Sequence, residues 1–251
     1  MTNRIAIVLL SLPLLFLRTA MAQQQLLDSA QAAYEHGDHQ KAIQYYDSVA
    51  NERTSAALLY NIGNCHFKIG SLAQAILHYE RALRLAPGNE DVQGNLDLAR
   101  TLVVDRMNEL PTLTLGSSWA RLRSGSDPDQ WARRSLWSVT SLFALLALYL
   151  FVRGTLPRRL LLVLSGLALL ASLASIVFAA SRHTELITHD QAIIIAPKAD
   201  AYSEPRQEAT LLFVLHEGTK VTLLQEGNGW SEVKLVNGAV GWMPPASLET
   251  I

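Results

Sequence analysis

Cysteine is almost missing from these 251 residues; Cys65 stands alone. One thiol cannot close a disulfide within the chain or build a multi-cysteine zinc site. Charge is scarce as well. Asp, Glu, Lys and Arg make up 17 % of the residues, against roughly 25 % in an average soluble domain. The formal net charge of −1 excludes a nucleic-acid binder driven by bulk positive charge. The sequence has no phosphate-binding glycine loop, no nucleophile motif and no clustered metal ligands. No catalytic residue, metal or cofactor is assigned on this reading, and the chain is expected not to be an enzyme.

What is abundant is apolar. Hydrophobic residues make up 49 % of the chain. That excludes a disordered polymer and points to membrane-embedded sequence. The charge is also partitioned: −4 over residues 23–105, +4 over 136–183 and −5 over 184–251. Two acidic segments flanking a basic, apolar centre are the pattern of two soluble domains around a membrane insert.

The first 22 residues read as a secretory leader. Arg4 precedes an apolar run over residues 5–17, and Ala20-Met21-Ala22 fits a cleavage site. In the centre, residues 135–152 and 160–181 are two uncharged runs. At 1.5 Å per residue each reaches across a hydrocarbon core of about 30 Å. Trp131, Trp137 and Tyr149 suit interfacial positions, and Asp127-Pro128 reads as a helix start. The connection over 153–159 carries Arg153, Arg158 and Arg159 and no acid, but the opposite flank carries Arg133, Arg134 and Arg182, so the secretory leader rather than charge alone places the connection in the cytoplasm. With an exported amino-terminal domain, both soluble domains are then expected outside. Ser165, Gly166, Ala168, Ala171, Ser172 and Ala174 offer small surfaces for helix packing. Residues 108–134, rich in Gly, Ser and Pro up to Pro128, read as a linker. Within it, residues 119–123 have a basic and an apolar side.

Residues 23–107 repeat with a period of 33: Gly37 and Gly70, Ala42 and Ala75, Ile43 and Ile76, Tyr46 and Tyr79. Such a period marks a solenoid of helix pairs. Residues 56–89, AALLYNIGNCHFKIGSLAQAILHYERALRLAPGN, closely resemble a tetratricopeptide repeat. Leu59, Ile62, Gly63, Ala75, Tyr79 and Ala82 fill its packing slots, and Pro87 closes it. The unit before it is degenerate, with Ala30 in place of the close-packing glycine. After it, Val92, Leu96, Ala99 and Val103 form one helical face, which reads as a capping helix. The resemblance implies a concave, peptide-binding face carrying Tyr60, Asn61, Asn64 and Lys68; Asn64 and Lys68, one turn apart, fit a peptide backbone or carboxylate. His36, His39, His66 and His78 lie at a turn and at packing slots, where packing rather than metal binding is expected. Cys65 reads as a buried thiol.

Residues 184–251 change period. Short β-rich runs, with hairpin signals at Asn228-Gly229 and Asn237-Gly238, indicate a small barrel of five strands. The pattern Gly218, Val221, Trp230, Val233, Gly238, Gly241, Trp242 and Pro244 resembles bacterial SH3 domains. That likeness implies a ligand groove with Tyr202, Trp230 and Trp242, and Trp230 is expected to lie partly in the core.

The predicted fold class is therefore multidomain: an α-helical tetratricopeptide solenoid, a two-helix transmembrane hairpin and a small all-β SH3-like barrel. In this order the parts resemble the BatE-type repeat proteins of the Bacteroides aerotolerance (Bat) operon family. The resemblance implies a non-catalytic scaffold at the inner membrane, with both soluble domains periplasmic. Its implied partners are membrane proteins with von Willebrand factor A domains and a MoxR-type ATPase, in aerotolerance or envelope stress. An alternative stays open, an adaptor that binds peptidoglycan and recruits a wall-remodelling enzyme.

Overall fold

A computed structural model describes residues 21–105, 128–187 and 190–251. The leader and the linker expected from the sequence lie largely outside these residues. The chain divides into two compact units. One holds the amino-terminal helices and the carboxy-terminal strands; the other holds the two long helices that lie between them in the sequence.

In the first unit, helix α1 covers residues 21–35, and α2 (His39–Ala50), α3 (Ala56–Lys68), α4 (Leu72–Leu85) and α5 (Glu90–Thr101) follow. Asp38 and Ser55 cap α2 and α3, each side chain accepting from the backbone N–H three residues on. Gly37 and Gly70 take positive φ, +81° and +79°, at the turn inside each helix pair. Gly63 explains the tight approach of α3 to α4. A Cβ there would lie 2.7 Å from the Tyr79 ring. The degenerate first repeat packs the same way, with Ala30 fully buried in the glycine slot beside Ala42, Ile43 and Tyr46.

The carboxy-terminal barrel has seven strands where five were expected: β1 (Gln191–Ile194), β2 (Lys198–Tyr202), β3 (Leu211–His216), β4 (Lys220–Gly227), β5 (Trp230–Lys234), β6 (Val240–Met243) and β7 (Leu248–Thr250). Their order is β3-β2-β6-β5-β4-β1-β7, antiparallel throughout. The β4–β5 turn uses Asn228 and Gly229, both at positive φ, as a primed hairpin turn requires. Ala192, Ile194, Ala199, Ala201, Leu215, Val221, Val233 and Met243 fill the barrel.

Strand β1 is buried on both faces. Ala192 and Ile194 belong to the barrel core, whereas Ile193 joins the helical core with Ile76, Leu96 and Val103. Repeat array and barrel are thus one packed body rather than two modules on a string.

The second unit is an antiparallel hairpin of α6 (Pro128–Phe151) and α7 (Thr155–Ile187). Both are long and apolar enough to cross a membrane, over Gln130–Phe151 and Thr155–Ala180, with mean hydropathy 1.5 and 2.5. The connection is shorter than the uncharged runs suggested. Gly154 at φ +128° makes the turn, and the arginine-bearing residues 158 and 159 already lie in the first turns of α7. Arg158 Nε donates to the Val152 carbonyl at 2.9 Å, closing the end of α6. Residues shielded on α6 recur at 131, 135, 138, 142, 145 and 149, and on α7 at 161, 165, 168, 172 and 175. That is a heptad seam. Of the small residues expected to pack, Ser165, Ala168 and Ser172 are in it; Gly166, Ala171 and Ala174 are exposed.

Candidate functional site

The period of 33 reproduces a hydrogen bond as well as a core. The Tyr79 hydroxyl donates to Asn64 Oδ1 at 2.8 Å, and the Tyr46 hydroxyl donates to Gln31 Oε1 at 3.3 Å. Each pair ties the second helix of a repeat to the first. Asn95 of α5 extends the network. Its Nδ2 donates to Asn64 Oδ1 at 2.9 Å and to the Tyr60 hydroxyl at 3.0 Å.

Two clefts open on this network. One of about 300 Å³ is lined by Tyr34, Tyr60, Asn64, Lys68, Asn95 and Leu98, among others. The other, about 160 Å³, is lined by Gln31, Tyr34, Tyr46, Asn61 and Asn64. Tyr60, Asn61, Asn64 and Lys68, singled out from the sequence, therefore come together, with Asn64 shared by both clefts. Tyr34, Asn95 and Leu98 were not foreseen. Gln31 lies 33 residues before Asn64, so the repeat itself signalled that position. Asn95 carries no such signal, because α5 lacks a repeat partner in the sequence.

The chemistry of the groove is that of recognition. Asn64 Oδ1 is saturated by two donors, while its Nδ2 has no partner among the described residues and is left to donate to a ligand carbonyl. The Lys68 ammonium is exposed and forms no ion pair among the described residues. Burial raises the Tyr79 hydroxyl pKa above its ordinary value, so it remains a neutral donor.

Elsewhere the titratable groups are packed. Burial pushes the Cys65 thiol up to about 11, assisted by Asp47, which leaves it protonated and unreactive. His66 and His78 stack at 5.4 Å with an interplanar angle of 6°. Burial pulls His78 down to about 3, assisted by His66 and Arg81, and also lowers His66. Among the described residues no three metal-binding side chains converge.

On the barrel, the expected groove residues share one face. Tyr202, Trp242 and Glu232 lie in register across β2, β6 and β5. Trp230 meets Tyr202 edge-on at 5.8 Å. All three aromatics are half-buried, with the alternate residues Ala201, Ser231 and Gly241 turned inward. A separate cleft of about 660 Å³ follows the seam between α5 and the barrel. Its cations are already engaged, Arg100 Nη2 with Glu80 Oε1 at 2.6 Å and Lys220 Nζ with Glu80 Oε2 at 2.8 Å.

Comparison with known proteins agrees with this geometry. Residues 27–90 match the tetratricopeptide-repeat family, and residues 199–249 match the bacterial SH3 domain. The chain is similar to tetratricopeptide repeat protein 16 of Mus musculus, 36 % identical over 74 residues, which cover 28 % of this chain and 10 % of the mouse protein. The chain thus spans about a tenth of that curated relative. It combines a tetratricopeptide-repeat region, two apolar helices and a bacterial SH3-type antiparallel barrel, and both matched domains are of kinds that serve protein interaction rather than catalysis.

Proposed function

We propose that the protein is a membrane-anchored adaptor whose repeat groove holds an extended peptide of a partner protein. The carrying observation is the pairing of the unengaged Asn64 Nδ2 with the unpaired Lys68 ammonium in a cleft walled by Tyr60 and Asn95. A peptide carbonyl accepts from Asn64, a carboxylate neutralises Lys68, and Tyr34 and Leu98 cover apolar side chains. Helices α6 and α7 anchor the body in the inner membrane, with the array and barrel in the periplasm. Within that reading the Bat-type assembly is the proposed setting, and proteins with von Willebrand factor A domains and a MoxR-type ATPase system are its proposed partners.

The test is selection of displayed random heptapeptides on the full chain in lipid nanodiscs. A selected peptide is expected to lose roughly tenfold or more in affinity on Asn64→Ala with Lys68→Ala, about 1–3 kcal/mol for a lost charge-assisted contact. Equal affinity for the double variant sinks the groove.

The aromatic face of the barrel favours a second reading, a grip on peptidoglycan, because Tyr202, Trp230 and Trp242 offer ring surface beside a carboxylate. The full chain in detergent would then sediment with purified sacculi, and Trp242→Ala would abolish this.

A further inference from the structure

Helix α5 faces two ways. Into the groove it sends Asn95, which donates to Tyr60 and Asn64, and Leu98, which lines the same cleft. Into the body it buries Val92, Leu96 and Ala99, followed by Val103. Among the described residues, no helix packs behind it to complete a repeat. Twelve residues are also too few to hold a helix in water unaided. Solenoid ends need a layer to cover them.

The barrel supplies that layer. Ile193 of β1 enters the cluster of Ile76, Leu96 and Val103. At Gly218 the approach is so close that a Cβ would lie 3.0 Å from both Ile76 Cδ1 and Val103 Cγ2. Three polar anchors surround the apolar contact. Glu80, 6 % exposed, is held between Arg100 and Lys220. Asp105, just past α5, accepts from the His216 backbone N–H at 2.6 Å and from the Thr219 hydroxyl at 2.8 Å, with His216 Nδ1 2.9 Å away. Arg81 donates to Glu249 Oε1 at 2.9 Å and to the Thr250 carbonyl at 2.6 Å.

We propose that the barrel is the terminal cap of the helical array and that its docking positions α5 as a wall of the groove. Asp105 and Ile193 are then positioning residues for Asn95. Ligand binding at Asn64 and docking of the barrel are coupled, each strengthening the other to the same degree. The coupling rests on the groove reading above; the positioning of α5 does not.

The test is amide hydrogen exchange on the full chain in nanodiscs. Ile193→Asp puts a carboxylate where the parent has 0 % exposure, and Asp105→Ala removes the acceptor of both donors. In both variants residues 216–220 are expected to lose protection, which reports undocking, and residues 92–101 to exchange roughly tenfold faster or more, while α2 and the β4–β5 hairpin keep parent rates. Asp105→Asn keeps an oxygen acceptor and is expected to restore α5. A peptide selected on the parent is expected to bind Asp105→Ala roughly fivefold more weakly, a coupling of ordinary size.

The proposal fails if 216–220 opens while α5 keeps its parent rate, or if the barrel stays docked in both variants. If Ile193→Asp also opens the β4–β5 hairpin, Asp105→Ala alone decides. A library that yields no peptide on the parent removes the groove reading and leaves the exchange result to decide the positioning.

Discussion

At Gly63 a methyl group does not fit. Its Cβ would stand 2.7 Å from two atoms of the Tyr79 ring, and that ring is fixed by its bond to Asn64. Gly63→Ala is therefore expected to destabilise the array by about 1–3 kcal/mol through overpacking. Gly94, in α5, has open space around its position, so Gly94→Ala is expected to stabilise by up to about 1 kcal/mol through helix propensity alone. Urea midpoints of the two variants should move in opposite directions; movement in the same direction would refute the packing argument. His78 sets an acid limit. Its folded value of about 3 lies below the ordinary 6.5, chiefly through burial. The unfolded chain then binds more protons between those values, and stability falls as pH drops through that window. His66 shifts in the same sense. Asp105 adds to the loss at its lower end, because bonds from His216 and Thr219 outweigh its burial and hold its pKa below the usual carboxylate value. His78→Phe should flatten the pH dependence of the urea midpoint from pH 6.5 downward. An unchanged slope would mean that the ring is solvated in the native state.

At the scale of the element, the α6–α7 hairpin is held by a narrow seam. Trp131 meets Phe178 at 4.7 Å, whereas Trp137, six residues on, is 70 % exposed. Trp131→Ala is expected to weaken helix pairing by about 0.5–1.5 kcal/mol beyond the lost area, and Trp137→Ala to leave it unchanged. SDS-titrated unfolding in mixed micelles measures both, and equal effects would contradict the seam. Elements with a strong local signal were legible in the sequence. The α3–α4 repeat follows from Gly63, Ala75 and Tyr79, and the β4–β5 hairpin from Asn228-Gly229. Strand β2 was not legible, because Lys198-Ala199-Asp200-Ala201-Tyr202 has poor β-propensity and is extended only by its pairing with β3 and β6. Three-residue β7 is likewise made by tertiary pairing with β1. The groove was half legible. Residues that recur with the repeat could be placed on its face, but Tyr34, Asn95 and Leu98 enter from neighbouring helices. The docking of the barrel left one trace, the unbroken Ala192-Ile193-Ile194-Ile195 run, which lacks the alternation of a strand with one face in water.

At the scale of the whole molecule, the shared core constrains topology. Ile193 is buried among α4 and α5 side chains, so the array and the barrel must occupy one aqueous compartment. Two apolar helices lie between them in the sequence. If both cross a membrane, the chain returns to the side it left, as the shared core demands; a single crossing would tear the core apart. In the proposed orientation the connection, with Arg153, Arg158 and Arg159 and no acid, lies on the cytoplasmic side. Cys65 makes this measurable without a cysteine-free background, since it is 0 % exposed and protonated at neutral pH, with a value of about 11. In spheroplasts of a Gram-negative host, an impermeant maleimide should leave the parent unlabelled. It should label the exposed positions of Arg53→Cys in the array and Glu208→Cys in the barrel, and reach Arg159→Cys only after permeabilisation. Labelling of Arg159→Cys alone would invert the orientation while keeping the shared core. Opposite accessibility of the Arg53→Cys and Glu208→Cys positions would be incompatible with a barrel packed on α5, because no arrangement of the two helices lets residues buried against each other lie on different sides of a bilayer.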